Sequence, residues 1–306
     1  MAGAYDQRSA QATSRLGARV VRVEFDIATP AAALRTTVAA LARRGARPLL
    51  LAGFHGRLPS EAEARNLASW AREFGPRGRF WKHRRPARRH PVRFIEFGNE
   101  TSYGDQYGDD YRTGSYAARA ELYATRFAQA HAAIRRTHRK VGLLAQADDG
   151  GSGSSAWVGH MFRAVPRLGR MVAGWTVHPY GPRWRWKAKL HGLVRQTAAH
   201  GAPRRIPIDV TEYGISSDDG APLSDNYGWP VDETYAQAAK SLRSTVAGMR
   251  HDRLIERRLR LFMIYALYDQ LPPHSSSNRE HYFGALRHDL APKGAYTAEV
   301  RRLFRR

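Results

Sequence analysis

Seven short runs rich in aliphatic and β-branched residues punctuate the chain: Val20 to Phe25, Leu49 to Ala52, Val92 to Phe97, Val141 to Ala145, Val172 to Val177, Ile206 to Thr211 and Leu259 to Ala266. Near-continuous apolar runs of this length fit strands covered on both faces, as in a parallel sheet. Longer segments between them carry helical patterning: Pro30 to Arg44, Ser60 to Phe74, Ser115 to His138, Trp184 to His200 and Asp232 to Arg250. Ser60 followed by Glu63 reads as a capping box, and Gly45, Gly75 and Gly201 stand where left-handed C-caps are expected.

Strand and helix in alternation predict an α/β chain with a single core over residues 1–306, and at this length the expected architecture is a (β/α)8 TIM barrel. Only a helical stretch, Gln7 to Arg15 with Gly17 after it, precedes the first strand-like run. Residues 1–19 are therefore read as an N-terminal helix, and the barrel as lacking its first strand. The expectation is a truncated or mis-started reading of a longer protein, with a gap beside Val20 to Phe25; the alternative is a barrel that closes in an unusual way. Residues 282–306 are read as a closing tail.

Hydrophobic residues at 42% and seven Trp exclude a disordered chain. Cys is absent, so there is no disulfide framework and no thiolate metal site. The net charge of +23 raises nucleic-acid binding, but of 50 basic residues only six are lysines, and the arginines are scattered from Arg8 to Arg306. One dense acid-free run, residues 77–93, precedes the third strand-like run and falls at the non-catalytic end of a barrel, either as a solvated loop or as an anionic partner site. Nucleic acid is not the expected partner. No apolar stretch of about 18 residues marks a membrane span. The N-terminus lacks the regions of a signal peptide.

Two glutamates sit where a strand-like run gives way to a loop: Glu100 after Phe94-Ile95-Glu96-Phe97-Gly98-Asn99, and Glu212 in Asp209-Val210-Thr211-Glu212-Tyr213-Gly214. A β/α barrel places its active groups at such strand ends. Cleaving a sugar acetal needs one carboxyl to protonate the leaving oxygen and a second, ionised, to attack or to activate water. A strand-end carboxylate is by itself commonly a mere surface group; two at this spacing point to a glycosidase. Arg22 lies on a strand expected to be buried, where an unpaired charge is prohibitively costly, so it needs an acidic partner: Glu24 and Glu96 are the structural candidates.

Taken together, these motifs resemble clan A of the glycoside hydrolases, retaining enzymes on a β/α barrel, and within it the cellulase-like family five and the xylosidase-like family thirty-nine. The resemblance runs from about Leu16 to Phe304. It implies Glu100 as acid/base, Glu212 as nucleophile, Asn99 as donor to the sugar 2-hydroxyl and Arg22 as the cation that keeps the nucleophile ionised. In His178-Pro179-Tyr180 it implies that both side chains stand beside the nucleophile. It further implies a secreted protein, an oligosaccharide or polysaccharide substrate, and no cofactor or metal; a monomer is expected.

His55 and Tyr213 are candidate wall residues, with ordinary packing as the alternative. Trp229, Trp184, Trp186 and Tyr227 are placed in loops on the active face as sugar-stacking candidates, while Trp70, Trp81, Trp157 and Trp175 are read as core. Three departures stand out: Thr101 replaces the usual Pro, the last strand lacks the frequent Trp, for which Tyr265 is the candidate substitute, and the first strand is missing. Phosphate-loop, serine-hydrolase and zincin motifs are absent. The competing readings are a catalytically silent carbohydrate-binding barrel and, third, a basic nucleic-acid-associated protein.

Overall fold

The computed structural model describes residues 7–85, 89–103, 115–147, 156–203 and 205–305. Seven strands form within it: β1 (Val20–Asp26), β2 (Arg47–Gly53), β3 (Phe94–Phe97), β4 (Gly142–Gln146), β5 (Trp175–Val177), β6 (Ile208–Tyr213) and β7 (Leu259–Ile264). They pair in sequential order, all parallel, each within one of the runs expected from the sequence or extending beyond it by three residues at most.

Curl of the sheet follows from one side chain. In a flat sheet β1 and β6 would lie five strand spacings apart, about 24 Å. Yet Arg22 of β1 reaches Glu96 of β3 and Glu212 of β6 at 2.5 Å each. The seven strands therefore wrap into a partial (β/α) barrel. Strands β2 to β6 are almost wholly buried, whereas most of β1 and β7 is half-buried. Among the described residues β1 pairs only with β2, and β7 only with β6, so the sheet is open along these two edges.

Helices connect the strands where the patterning places them. Ser60 accepts from the Glu63 amide while the Glu63 carboxylate accepts from the Ser60 amide, completing the capping box of the helix Glu61–Phe74. Thr234 and Gln237 do the same for Tyr235–His251, so this helix starts three residues after the expected Asp232. Gly45 and Gly201 adopt the expected left-handed conformation; Gly75, at φ −66°, does not. It is held to glycine by close approach instead, since a Cβ there would fall 2.5 Å from the Ala71 carbonyl oxygen.

The helices Ala156–Ala164, Leu168–Met171 and Gly294–Phe304 were not separately foreseen. Trp70, Trp81, Trp157 and Trp175 are buried as expected. Trp184 and Trp186 are not in a loop but in the helix Arg183–Ala199, where Trp186, Leu190, Leu193 and Val194 share a buried face at helical spacing. That corrects Trp186 from a sugar-stacking candidate to core; Trp184, on the opposite side, is 69% exposed. The polar loop 148–155 and Arg88 of the basic run lie outside the described residues. The other cations of that run are mostly exposed, ahead of the N-terminal end of β3. No described helix is long and apolar enough to cross a membrane.

The closing tail is fastened by a buried charge. Lys293 Nζ donates to Asp269 and to the Tyr282 carbonyl, at 2.9 Å each, and both charged side chains are almost fully enclosed. Burial pushes the Asp269 carboxyl up to about 6 in spite of this neighbour. Lys293→Ala leaves that carboxyl without its cation and is expected to cost about 3–5 kcal/mol, read as a lower midpoint in chemical denaturation.

Candidate active site

The chain between β3 and the helix Tyr116–Thr137 leaves the sheet through a forced turn. Gly98 has φ +79°, and a Cβ there would meet Thr101 Cγ2 at 2.3 Å and the Phe54 ring at 2.8 Å. Two residues later Glu100 itself adopts φ +43°, a left-handed conformation that costs a non-glycine residue about 1–2 kcal/mol. Strain of this kind persists where surrounding contacts fix the side chain. Here the fixing contact is His178, whose Nδ1 lies 3.0 Å from Glu100 Oε1.

On the far side of the barrel mouth, β6 delivers Glu212. Its Oε1 accepts from Arg22 at 2.5 Å, its Oε2 accepts from the Tyr180 hydroxyl at 2.9 Å, and His178 Nδ1 stands 3.6 Å away. The other two nitrogens of Arg22 donate to Glu96 (2.5 Å) and Asn99 Oδ1 (2.6 Å). The structural pairing with Glu96 and the contact with Glu212 therefore coexist in one guanidinium. Because a guanidinium only donates, Asn99 must turn its oxygen toward it, which aims the Asn99 NH2 elsewhere.

Strict alternation along β6 would send Thr211 and Glu212 to opposite faces. Both nevertheless join this network: Thr211 Oγ donates to Glu96 Oε1 at 2.9 Å and lies 3.2 Å from His178 Nε2. The pairing of β6 with β7 shifts register between Val210 and Tyr213, at this point. Tyr213 then faces outward, fully buried, its hydroxyl donating to the Gly181 carbonyl at 3.0 Å with the Thr245 hydroxyl 3.1 Å away. It is core, as is the half-buried Trp229 packed nearby.

An aromatic wall flanks Glu212. Tyr180 stacks on Tyr227 (centroids 4.8 Å, 15°) and stands edge-on to Tyr265 (6.4 Å, 87°), with Phe283 against all three. Arg279 caps Tyr227 at 3.9 Å while pairing with Asp225 and Glu280. Tyr265 thus stands in this wall beside Tyr180 and Phe283. His55, at φ +49° just beyond β2, faces Glu24 at 3.5 Å, at the rim of β1 and β2.

Burial opposes every charge in this site, and the pairs decide the outcome. For Glu212, desolvation is overcome by His178, Arg22 and the Tyr180 hydroxyl, which together hold it below the usual carboxylate range. His178 is raised: desolvation works against the imidazolium, but Glu212 and Glu100 outweigh it. Desolvation and the nearby carboxylates push Tyr180 and Tyr265 well up, and Tyr227 to about 12, so all three remain neutral donors. Glu100, His178 and Glu212 bring one ligand-type atom each within 4.8 Å of one another.

Sequence reasoning named Glu100, Glu212, Asn99, Arg22, His178, Tyr180 and Tyr265, and the structure brings all seven together. It missed the part of Thr211, whose only sequence signal was its place before Glu212. It also missed Arg279 and Glu280, which lie far along the chain in a segment with no strand or helix pattern.

No known family matches the chain by sequence profile, and no curated protein matches it by sequence. Solved structures do resemble it. A family 39 glycoside hydrolase from Bacteroides cellulosilyticus WH2 aligns over 96% of this chain and 60% of its own, with TM-score 0.62 and 17% identity. The GH53 catalytic domain of Ignisphaera aggregans aligns over 97% and 88%, with TM-score 0.62 and 13% identity. Bacteroides uniformis β-glucuronidase 2 aligns over 96% of this chain, which spans only 32% of the enzyme, with TM-score 0.62 and 13% identity. At such identities the likeness is one of fold.

Replacing Arg22 by Met removes a cation that lowers Glu212. The Glu212 titration, followed by carboxyl NMR, is expected to move to higher pH. In the wild type the lowered carboxyl contributes stability that is present above its unfolded value near 4.3 and lost as pH falls through the folded value. The variant is expected to lose less stability across that acidic window.

Proposed function

We propose that this chain is a retaining glycoside hydrolase that cleaves O-glycosidic bonds by double displacement, with Glu212 as nucleophile and Glu100 as acid/base. One observation carries the reading: a Glu100 oxygen and a Glu212 oxygen lie within 4.8 Å of each other at the mouth of the barrel, and among the described residues Glu212, but not Glu100, is tied to a guanidinium. Retaining pairs stand about 5–5.5 Å apart, whereas inverting pairs stand about 6.5–9.5 Å apart to admit a water. The solved structures of like fold, which include glycoside hydrolases by title, support a carbohydrate substrate.

In the first step Glu212 attacks the anomeric carbon as the bond to the leaving oxygen breaks, and Glu100 supplies the proton that this oxygen takes up. Water then attacks the anomeric carbon from the vacated side, Glu100 takes its proton, and the bond to Glu212 breaks with retention. Asn99, its oxygen held by Arg22, presents its NH2 to the sugar 2-hydroxyl, a bond that strengthens in the transition state. Tyr180 keeps Glu212 in place, and Tyr265 with Tyr227 supplies ring surface beside the sugar. The exposed Trp184, close to Gly228, offers a platform farther out.

Glu212→Ala is expected to abolish turnover of aryl glycosides, and added azide to restore it with formation of a glycosyl azide, because a small anion can fill the place of the nucleophile. No azide product from a folded variant counts against Glu212. Glu100→Ala is expected to lose about 10²–10⁴-fold on substrates with poor leaving groups and far less, in the glycosylation step, on activated ones. An equal loss across leaving groups would remove Glu100 as the acid. A catalytically silent barrel would show binding of oligosaccharides without hydrolysis of any glycoside in the panel.

A further inference from the structure

We infer that Thr211 and Glu96 are positioning residues for the acid/base: they fix His178 with its proton on Nε2, so that Nδ1 and Glu100 share a single proton between them. The inference rests on the reading of Glu100 as acid/base. A chain of contacts from β1 to the end of β3 leaves each donor in it one acceptor.

Glu96, with no side-chain exposure, accepts from Arg22 Nε at 2.5 Å, and a carboxylate so paired has only acceptors to offer. Thr211 Oγ, 2.9 Å from the other Glu96 oxygen, must therefore spend its one hydrogen there. That leaves the hydroxyl only lone pairs toward His178 Nε2, at 3.2 Å, so Nε2 carries the hydrogen. Nδ1, 3.0 Å from Glu100 Oε1, is then the ring position that gains or loses a proton, and it does so against the acid/base.

The groups facing His178 agree with this placement. Glu212 lies 3.6 Å from Nδ1, Glu100 lies 3.0 Å from it, Arg22 stands behind Glu212, and Lys189 Nζ donates to the His178 carbonyl at 3.1 Å. Tyr180, ring edge toward the imidazole, gives its hydrogen to Glu212. The consequence for the reaction is a count of protons. The Glu100–His178 pair holds one before glycosidic cleavage, passes it through Glu100 to the leaving oxygen, holds none in the glycosyl-enzyme, and regains one from the attacking water.

The test is imidazole NMR of the whole chain labelled with nitrogen-15 histidine, the His178 signal assigned through His178→Gln. In the wild type Nε2 is expected to remain protonated at every pH at which the chain is folded, and Nδ1 to deprotonate over the same range as the basic limb of kcat/KM. Glu96→Gln is the sharper arm. Its amide oxygen must face Arg22, so its NH2 faces Thr211, reversing the hydroxyl and making Nε2 an acceptor. The expected result is a switch of neutral His178 to the Nδ1-protonated form, with kcat/KM falling roughly tenfold on poor leaving groups and less on activated ones, the size of one reversed hydrogen bond. Thr211→Val is expected to give mixed tautomers, and Thr211→Ser to restore the wild-type form.

A wild-type His178 that is neutral with its proton on Nδ1 overturns the proposal without recourse to any variant. So does a folded Glu96→Gln chain with unchanged tautomer. The wild-type tautomer found as expected in a chain that hydrolyses no glycoside would sink the glycosidase reading instead, leaving the donor chain intact.

Discussion

The Arg22 guanidinium is where β1, β3 and β6 meet, and its contacts set much of the site. Three of its nitrogens reach three acceptors, Glu96, Glu212 and Asn99, at 2.5–2.6 Å. A cation at this depth would be prohibitively costly alone, and two buried carboxylates would repel each other without it. Curl of the sheet and charge of the site are thus mutually dependent: the strands must wrap for Arg22 to find its acids, and the acids must be there for Arg22 to be buried. Removing it would leave both Glu96 and Glu212 short of a cation.

Two carboxyls that end neighbouring tiers of the same site consequently differ in kind. Glu212 has both oxygens filled by fixed donors and is held ionised. Glu100 sits on a left-handed residue at the rim, more exposed, with one contact to an imidazole that can itself bind or release a proton. A stationary charge on one side and a titratable imidazole on the other is the asymmetry that the proposed double displacement would use. The aromatic wall from Tyr265 to Tyr227 adds neutral donors and ring surface without adding charge, because burial keeps each phenol protonated.

Away from the mouth, the fold is held by ordinary means with one exception. Capping boxes start two helices, and tryptophans fill the space between helices and sheet. The exception is the buried Lys293–Asp269 pair, which fastens the tail after β7 next to the segment carrying Tyr265 and Phe283. That pair also holds the Tyr282 carbonyl, next in the chain to Phe283 of the aromatic wall.

What the sequence determined by itself is what local rules govern. Strand runs, helix starts at Ser60 and Ser115, left-handed glycines at 45 and 201, and the strand-end positions of Glu100 and Glu212 all follow from spacing and capping within a few residues. Gly75 and Trp186 escaped such rules because a close carbonyl and a buried helix face, respectively, fix them. The outward turn of Tyr213, the inward reach of both Thr211 and Glu212, and the choice of partners for Arg22 were decided only in the folded chain. Arg22 and Glu212 are 190 residues apart in sequence, and nothing in either neighbourhood specifies the other. Only the curl of a parallel sheet, which brings its first and sixth strands within reach of one side chain, makes them partners.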